Sequence, residues 1–345
     1  MKMLFVILFF VTISMTLPAV VITSPATNTV QFSWYTTTPV VCNLYVYNEH
    51  FSKEVFESEP SKFHVLTVSD LFPDVSYRYR IECVFSTDYV LEGNFSIPFN
   101  PGNHFKFVVY GDSRSNPGIH LKVTKVISSK EPLFVLHTGD IVYSDACIND
   151  WANLFKATEP LSNVLFFPAI GNHEKKAENY KAFFSLPGNE SYYSFKIGEL
   201  LFIVLNTNER FDWCSDQYKW LESLVMTNIA EFTIVMFHHP PFSYNSYLYS
   251  YFVKIILVPL FEKYGVDLVL SGHDHNYQRV EHNGLTYIVT GGGGAFSYDA
   301  KNPLGPIASF KGYHFVLFEY DNGTLKGTCY DIKGQEIDSF FVSPH

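Results

Sequence analysis

No Cys-x-x-Cys pair occurs among the five cysteines (Cys42, Cys83, Cys147, Cys214 and Cys329), so a zinc finger or a dithiol redox motif has no support. Basic residues are scarce. Lys and Arg total 24 against 34 Asp and Glu, a net charge of −10, which argues against nucleic-acid binding through a basic face. Low-complexity tracts and internal repeats are missing. With 47% hydrophobic and 17% charged residues, the composition is that of a globular protein, not a disordered one. After the N-terminus no long apolar run remains, so stable membrane insertion is not expected. The odd cysteine count leaves at least one thiol free or paired between chains, and the spacing does not assign the pairs.

The N-terminus reads "MKMLFVILFFVTISMTLPAV". Lys2 supplies a basic start, Leu4 to Ile13 an apolar core interrupted by Thr12, and Ser14 and Thr16 the small residues of a cleavage site. The core is too short to span a bilayer, so residues 1–16 read as a secretory signal peptide. Three sequons, at Asn94, Asn189 and Asn322, are candidate glycosylation sites. A secretory-pathway protein is expected, either secreted or lysosomal or vacuolar.

Residues 17–100 carry short alternating runs, among them "TVQFSWYT", "VCNLYVYN", "FHVLTVSDL" and "SYRYRIECVF", with no sustained helical period. They predict a small all-β sandwich. "PFNPGNH" (98–104) reads as a linker. From there to residue 345 apolar strand runs alternate with helix candidates at "HLKVTKVISSK" and "YLYSYFVKIILVPLFEKYG", the grammar of a layered α/β fold. The tail returns to strands, with a turn at Asn322-Gly323.

Five of the apolar runs end in polar punctuation: "GDSR", "GDIVYSD", "GNHE", "FHHP" and "GHDH". They offer Asp112; Asp140 and Tyr143; Asn172 and His173; His238 and His239; and His273 and His275. One Gly-Asp is usually a turn. Five such motifs in order, each directly after a strand, converge on one crevice in a layered fold. Mixed oxygen and imidazole donors suit iron, zinc or manganese better than calcium, and Asp140 can bridge two ions.

This order resembles the calcineurin-like metallophosphoesterases, and within them the purple acid phosphatases. "YGDSR", "GDIVYSD", "GNHE", "FHHPP" and "GHDHNYQR" carry the resemblance. It implies a fibronectin-III-like β-sandwich over 17–100, followed by a catalytic domain over 104–345 built as a layered β-sandwich with flanking helices. It also implies Fe(III) held by Asp112, Asp140, Tyr143 and His275, and a divalent iron, zinc or manganese held by Asp140, Asn172, His238 and His273. A Tyr143 phenolate would favour the ferric ion and give colour. His173 would contact phosphate or protonate the leaving group.

Arg114 stands where the first family motif usually has Gly, and where many related enzymes carry a His ligand. It is expected either to reach substrate phosphate or to cover a helix start. His239 is expected as a partly exposed neighbour of the ligand block, with substrate contact as its possible role. "SYNSYLYSYF" lacks the further histidines of many plant members. "GGGG" (291–294) reads as a tight turn beside the site, and His64, His104 and His120 as surface or cap residues.

The expected activity is hydrolysis of small phosphate monoesters. A phosphodiesterase or nucleotide pyrophosphatase on the same site is the alternative. A non-catalytic binding protein is disfavoured, because none of the seven implied ligands is missing. The oligomeric state is left open.

Overall fold

The computed structural model describes residues 19–84, 89–245, 248–300 and 305–345. The expected signal peptide therefore lies outside the described residues. The N-terminal part is all strand: β1 (Val20–Ala26), β2 (Thr29–Tyr47), β3 (Ser52–Phe56), β4 (Ser61–Val68), β5 (Ser76–Val84) and β6 (Tyr89–Ser96). Two of the expected short strands are one. β2 pairs with β4 along its first half and with β3 and β5 along its second, with a register shift between Tyr35 and Val40 near Pro39. A disulfide joins Cys42 and Cys83, which face each other across β2 and β5. These strands are consistent with a fibronectin-III-like domain.

The chain continues through β7 (His104–Tyr110), α1 (Pro117–Ser128), β8 (Phe134–His137), α2 (Ile148–Ala157), β9 (Leu165–Pro168) and α3 (Glu178–Phe183). It then forms β10 (Tyr193–Ile197), β11 (Leu200–Val204), α4 (Asp216–Met226), β12 (Phe232–Met236), α5 (Leu248–Lys263) and β13 (Leu268–Ser271). The last strands are β14 (Tyr277–His282), β15 (Leu285–Thr290), β16 (Ala308–Phe310), β17 (His314–Asp321), β18 (Thr324–Asp331) and β19 (Glu336–Val342). α1 begins earlier than its apolar period suggests, because Asn116 caps it and Pro117 fits its first turn.

Two sheets result. One runs β19-β18-β17-β7-β8-β9-β1-β2-β5-β6 and the other β10-β11-β12-β13-β15-β14-β16. β7, β8 and β9 are parallel, as are β11, β12, β13 and β15. Runs such as "LLFIV" and "FTIVM" are apolar on both faces because both are covered. Leu200, Phe202 and Val204 face the core between the sheets, whereas Leu201 and Ile203 join residues of α4 and α5 on the other side. Phe107, Phe134 and Phe202 meet at the centre of the inter-sheet core, with ring centroids 5.1–5.3 Å apart.

The N-terminal strands do not hang from a linker. β1 runs parallel to β9 at Ile22 and Leu165. Gln31 Nε2 and Ser33 Oγ donate to the Phe183 carbonyl at 2.9 and 2.7 Å, and Phe63 stacks on Phe183. One contiguous core therefore spans both parts.

His104 is exposed, as expected, but His64 and His120 are buried. The alternation of β4 turns His64 inward, where Glu57 and Thr36 satisfy its two nitrogens and Trp34 stacks on it. His120 pairs with the Tyr110 hydroxyl at 2.9 Å, and burial holds its ring down to about 3. The unfolded chain therefore takes that proton first, and stability is lost as pH falls from about 6.5 towards 3. In metal-free protein, His120→Gln should flatten the acid limb of a urea-unfolding series by up to ~1.4 kcal/mol per pH unit below about pH 6.5. Equal slopes for the two proteins would contradict this.

Candidate metal centre

Each candidate ligand stands just beyond the C-terminal end of a parallel strand. Asp112 follows β7, Asp140 follows β8, Asn172 follows β9, His238 follows β12, and His273 and His275 follow β13. The loops turn sharply. Asp112, Asp140 and His273 have φ of 56°, 54° and 68°, a left-handed conformation that costs about 1–3 kcal/mol per non-glycine residue. Close backbone approach makes room for them. A Cβ on Gly272 would meet Asp112 Oδ2 at 2.5 Å, and one on Gly291 would meet it at 2.8 Å. The "GGGG" stretch thus serves as a packing surface against the Asp112 loop. It is not a turn with positive φ.

Four donors converge in one half of the site. Asn172 Oδ1 lies 3.0 Å from both His238 Nε2 and His273 Nδ1, which are 3.3 Å apart. Asp140 Oδ1 lies 3.3 Å from His238 Nε2. Ligands at about 2.0–2.2 Å from an ion would sit roughly 3.0–3.4 Å from one another, so this spacing fits a metal. His238 Nδ1 donates to the Thr138 carbonyl at 2.9 Å, which leaves Nε2 with its lone pair towards the cluster. Burial holds the His238 ring down to about 4, so it stays neutral and able to ligate in mild acid.

Asp112, Asp140 and His275 form the other half, with one donor atom from each within 4.8 Å of the others. His275 Nε2 is 3.5 Å from Asp112 Oδ1, and Nδ1 donates to the Phe296 carbonyl. Burial, and then Arg114, bring the His275 ring down to about 4. Asp112 Oδ1 is buried without a hydrogen-bond partner, an uncompensated carboxylate oxygen of the kind a cation would satisfy. Burial and the neighbouring Asp140 charge push the Asp112 carboxyl well up. Burial also raises Asp140, but the His238 and His173 imidazoles and the Arg114 guanidinium outweigh it and bring that carboxyl down to about 2.

The calcineurin-like phosphoesterase family model matches residues 105–277, half of the 345-residue chain. The chain belongs to that family. Its relatives include acid phosphatase type 7 of Homo sapiens, 30% identical over 71% of this chain and 62% of that protein. They also include probable inactive purple acid phosphatase 1 of Arabidopsis thaliana, 24% identical over 79% of this chain and 54% of that protein. The chain thus spans little more than half the length of such relatives. A purple acid phosphatase from yellow lupin seeds shares the fold, with TM-score 0.77 and 18% identity over 94% of this chain and 74% of that one. The family fold implies a dinuclear metal centre.

Within this site, three residues sit differently from the sequence expectation. Tyr143 is 59% exposed at the rim, its ring 5.2 Å from that of His173. His239 is buried, not partly exposed: Nδ1 meets Thr207 Oγ1 at 2.8 Å, and the ring packs between Tyr249 and His273. Arg114 does not cover the helix start, which Asn116 caps. It turns inward, with Nε donating to Asp140 Oδ2 at 3.0 Å. His173 Nδ1 contacts the Tyr143 carbonyl, and its Nε2 lies 3.8 Å from Asp140 Oδ2.

Two supporting carboxylates escaped the sequence reading. Glu174, fully buried, accepts from the N–H groups of Asp140, Val142 and Gly171 at 2.9–3.0 Å and so ties two ligand loops together. Asp274 points behind the His273–His275 pair, accepting from Ser243 and Gln278. Glu174 stood in plain sight after "GNH". Glu174→Gln replaces an acceptor oxygen with an amide donor that faces N–H groups. Metal-free protein should lose roughly 1.5–3 kcal/mol of unfolding free energy, read by urea denaturation. Unchanged stability would remove Glu174 from this role.

Proposed function

We propose that the chain is a phosphomonoesterase of purple acid phosphatase type that works in the secretory pathway and ends secreted or in a lysosome or vacuole. The convergence of Asp112, Asp140, Asn172, His238, His273 and His275 at the ends of five parallel strands carries this reading. By the family resemblance, Asp112, Asp140, Tyr143 and His275 would hold Fe(III), and Asp140, Asn172, His238 and His273 a divalent iron, zinc or manganese. Bound ions would supply Lewis acidity and an acidified water near neutral pH. Asp140 belongs to both sets. A disulfide and three exposed sequon asparagines, Asn94, Asn189 and Asn322, support the secretory assignment, together with the leader-like segment. Among the described residues no helix is long and apolar enough to cross a membrane.

The protein's own groups supply orientation and a proton. His173 sits at the rim, with Nδ1 tied to the Tyr143 carbonyl and Nε2 facing the cleft and the Asp140 carboxylate. An Nε2 proton on this ring can pass to the leaving oxygen of a phosphate ester. Small phosphate monoesters fit an open, rim-exposed proton donor. His239 is buried beside His273 and packs against the ring of that ligand, with a nitrogen within 4.8 Å of those of His238 and His273.

Three outcomes test the proposal. Purified metal-loaded protein should hydrolyse monoesters in mild acid and leave diesters and nucleotide pyrophosphates largely intact; the reverse preference would overturn the substrate class. His173→Ala should keep its metals, yet slow turnover of poor leaving groups by roughly 10²–10⁴, with a smaller loss for good ones. A lost metal would make His173 a ligand instead. In the loaded protein a violet or pink colour is expected, and Tyr143→Phe should abolish it; active protein without iron would contradict the Tyr143 assignment.

A further inference from the structure

Beyond β15 the chain passes through the four glycines to Ala295, Phe296, Ser297 and Tyr298. Hydrogen bonds fasten this stretch to two of the ligand loops. The Ala295 N–H donates to the Asp112 carbonyl at 2.8 Å, and the Tyr298 N–H to the His275 carbonyl at 3.2 Å. In the other direction, His275 Nδ1 donates to the Phe296 carbonyl at 3.0 Å and Asn276 Nδ2 to the Tyr298 carbonyl at 3.1 Å. The Tyr298 ring lies 5.2 Å from that of His275, centroid to centroid. The stretch is therefore held at the edge of the centre from both sides.

Phe296 stands out from it. The residue is 80% exposed, whereas Ala295 and Ser297 on either side are buried. A single exposed apolar residue needs no explanation by itself. This one is tied through its own carbonyl to the imidazole of a candidate metal ligand, so its backbone has no freedom to carry the ring into the core. A ring held in water beside a reaction centre, on a backbone already fixed, is preorganised for contact with a bound molecule. The chemistry around it narrows what that contact is. No charged residue occurs from Gly291 to Tyr298, and the next residue, Asp299, is paired with Lys311 at 2.9 Å. The cationic groups of the site, Arg114 and His173, stand against Asp140, where a phosphate would lie. What meets Phe296 is thus recognised by apolar contact and ring stacking, not by charge.

We propose that Phe296 is a specificity-determining residue of the phosphoesterase reaction, a platform on which a flat aromatic leaving group stacks. The substrate class is then a phosphate monoester that carries such a ring, as an aryl phosphate or a nucleoside monophosphate does. The inference rests on the phosphomonoesterase reading above. It gives Phe296 no part in holding metal or in moving the proton.

Binding and turnover by metal-loaded protein test it. Phenylphosphonate and methylphosphonate, which share the charged head and are not hydrolysed, are titrated by calorimetry. The phenyl compound should bind roughly 3–10-fold more tightly, the range expected of one aromatic pair. Phe296→Ala should remove that preference, Phe296→Tyr should keep it, and affinity for inorganic phosphate should stay the same in all three proteins. In turnover, Phe296→Ala should lower kcat/KM by a similar factor for phenyl phosphate, for adenosine 5′-monophosphate or for both, and leave glycerol 2-phosphate unchanged. The ester that suffers names the source of the ring. Because the side chain is exposed, these variants should fold and keep their metals, which metal analysis checks. An unchanged preference in Phe296→Ala, or an equal loss for glycerol 2-phosphate and inorganic phosphate, overturns the platform and leaves the phosphomonoesterase reading standing. Unaltered loaded protein that hydrolyses none of these monoesters and binds no phosphate overturns both.

Discussion

Two carboxylates buried side by side set the terms for everything around them. Asp112 and Asp140 are removed from water at adjacent strand ends, and like charges at such range in a poorly solvated site are mutually unfavourable. The fold meets that cost locally. Backbone N–H groups of His273 and His173 donate to the two carboxylates, at 2.9 and 3.1 Å, and Arg114 supplies a positive charge. One oxygen, Asp112 Oδ1, is still left without a partner. The left-handed backbone at Asp112, Asp140 and His273 adds strain, and the free oxygen is one that a cation would satisfy.

That strain is tolerable because the loops hang from rigid elements. The aromatic core between the sheets fixes β7, β8, β12 and β13, and helices cover the outer faces of both sheets. The N-terminal strands contribute as well. By hydrogen bonds from Gln31 and Ser33 to Phe183, and by the pairing of β1 with β9, they brace the segment that carries Asn172, His173 and Glu174. What reads in sequence as a separate sandwich is in the folded chain a buttress for one side of the metal centre.

The ligand positions were legible because each follows an apolar run directly, and strand ends of one direction must lie together in a parallel sheet. The helix at 248–263 and all but the first turn of the one at 117–128 were legible from their apolar periods. Side-chain direction was not. Nothing in "GDSR" says that Arg114 turns inward onto Asp140, and nothing in "FHHP" says that the second histidine is buried against His273. His64 and His120 were misjudged as surface or cap residues because their partners, Glu57 and Tyr110, come from other segments of the chain. The Cys42–Cys83 pairing was equally hidden, since it depends on the register of β2 against β5. In each case tertiary neighbours decided what the local pattern left open.

The central claim is that the strand-end donors form a metal centre. Crystals of metal-loaded protein, with anomalous difference maps at the absorption edges of the bound metals, would test it most directly. The account predicts one peak bounded by Asp140 Oδ1, Asn172 Oδ1, His238 Nε2 and His273 Nδ1, and a second among Asp112, Asp140 and His275. Fully loaded, active protein with its metal bound elsewhere, or with no peak at these donors, would contradict it.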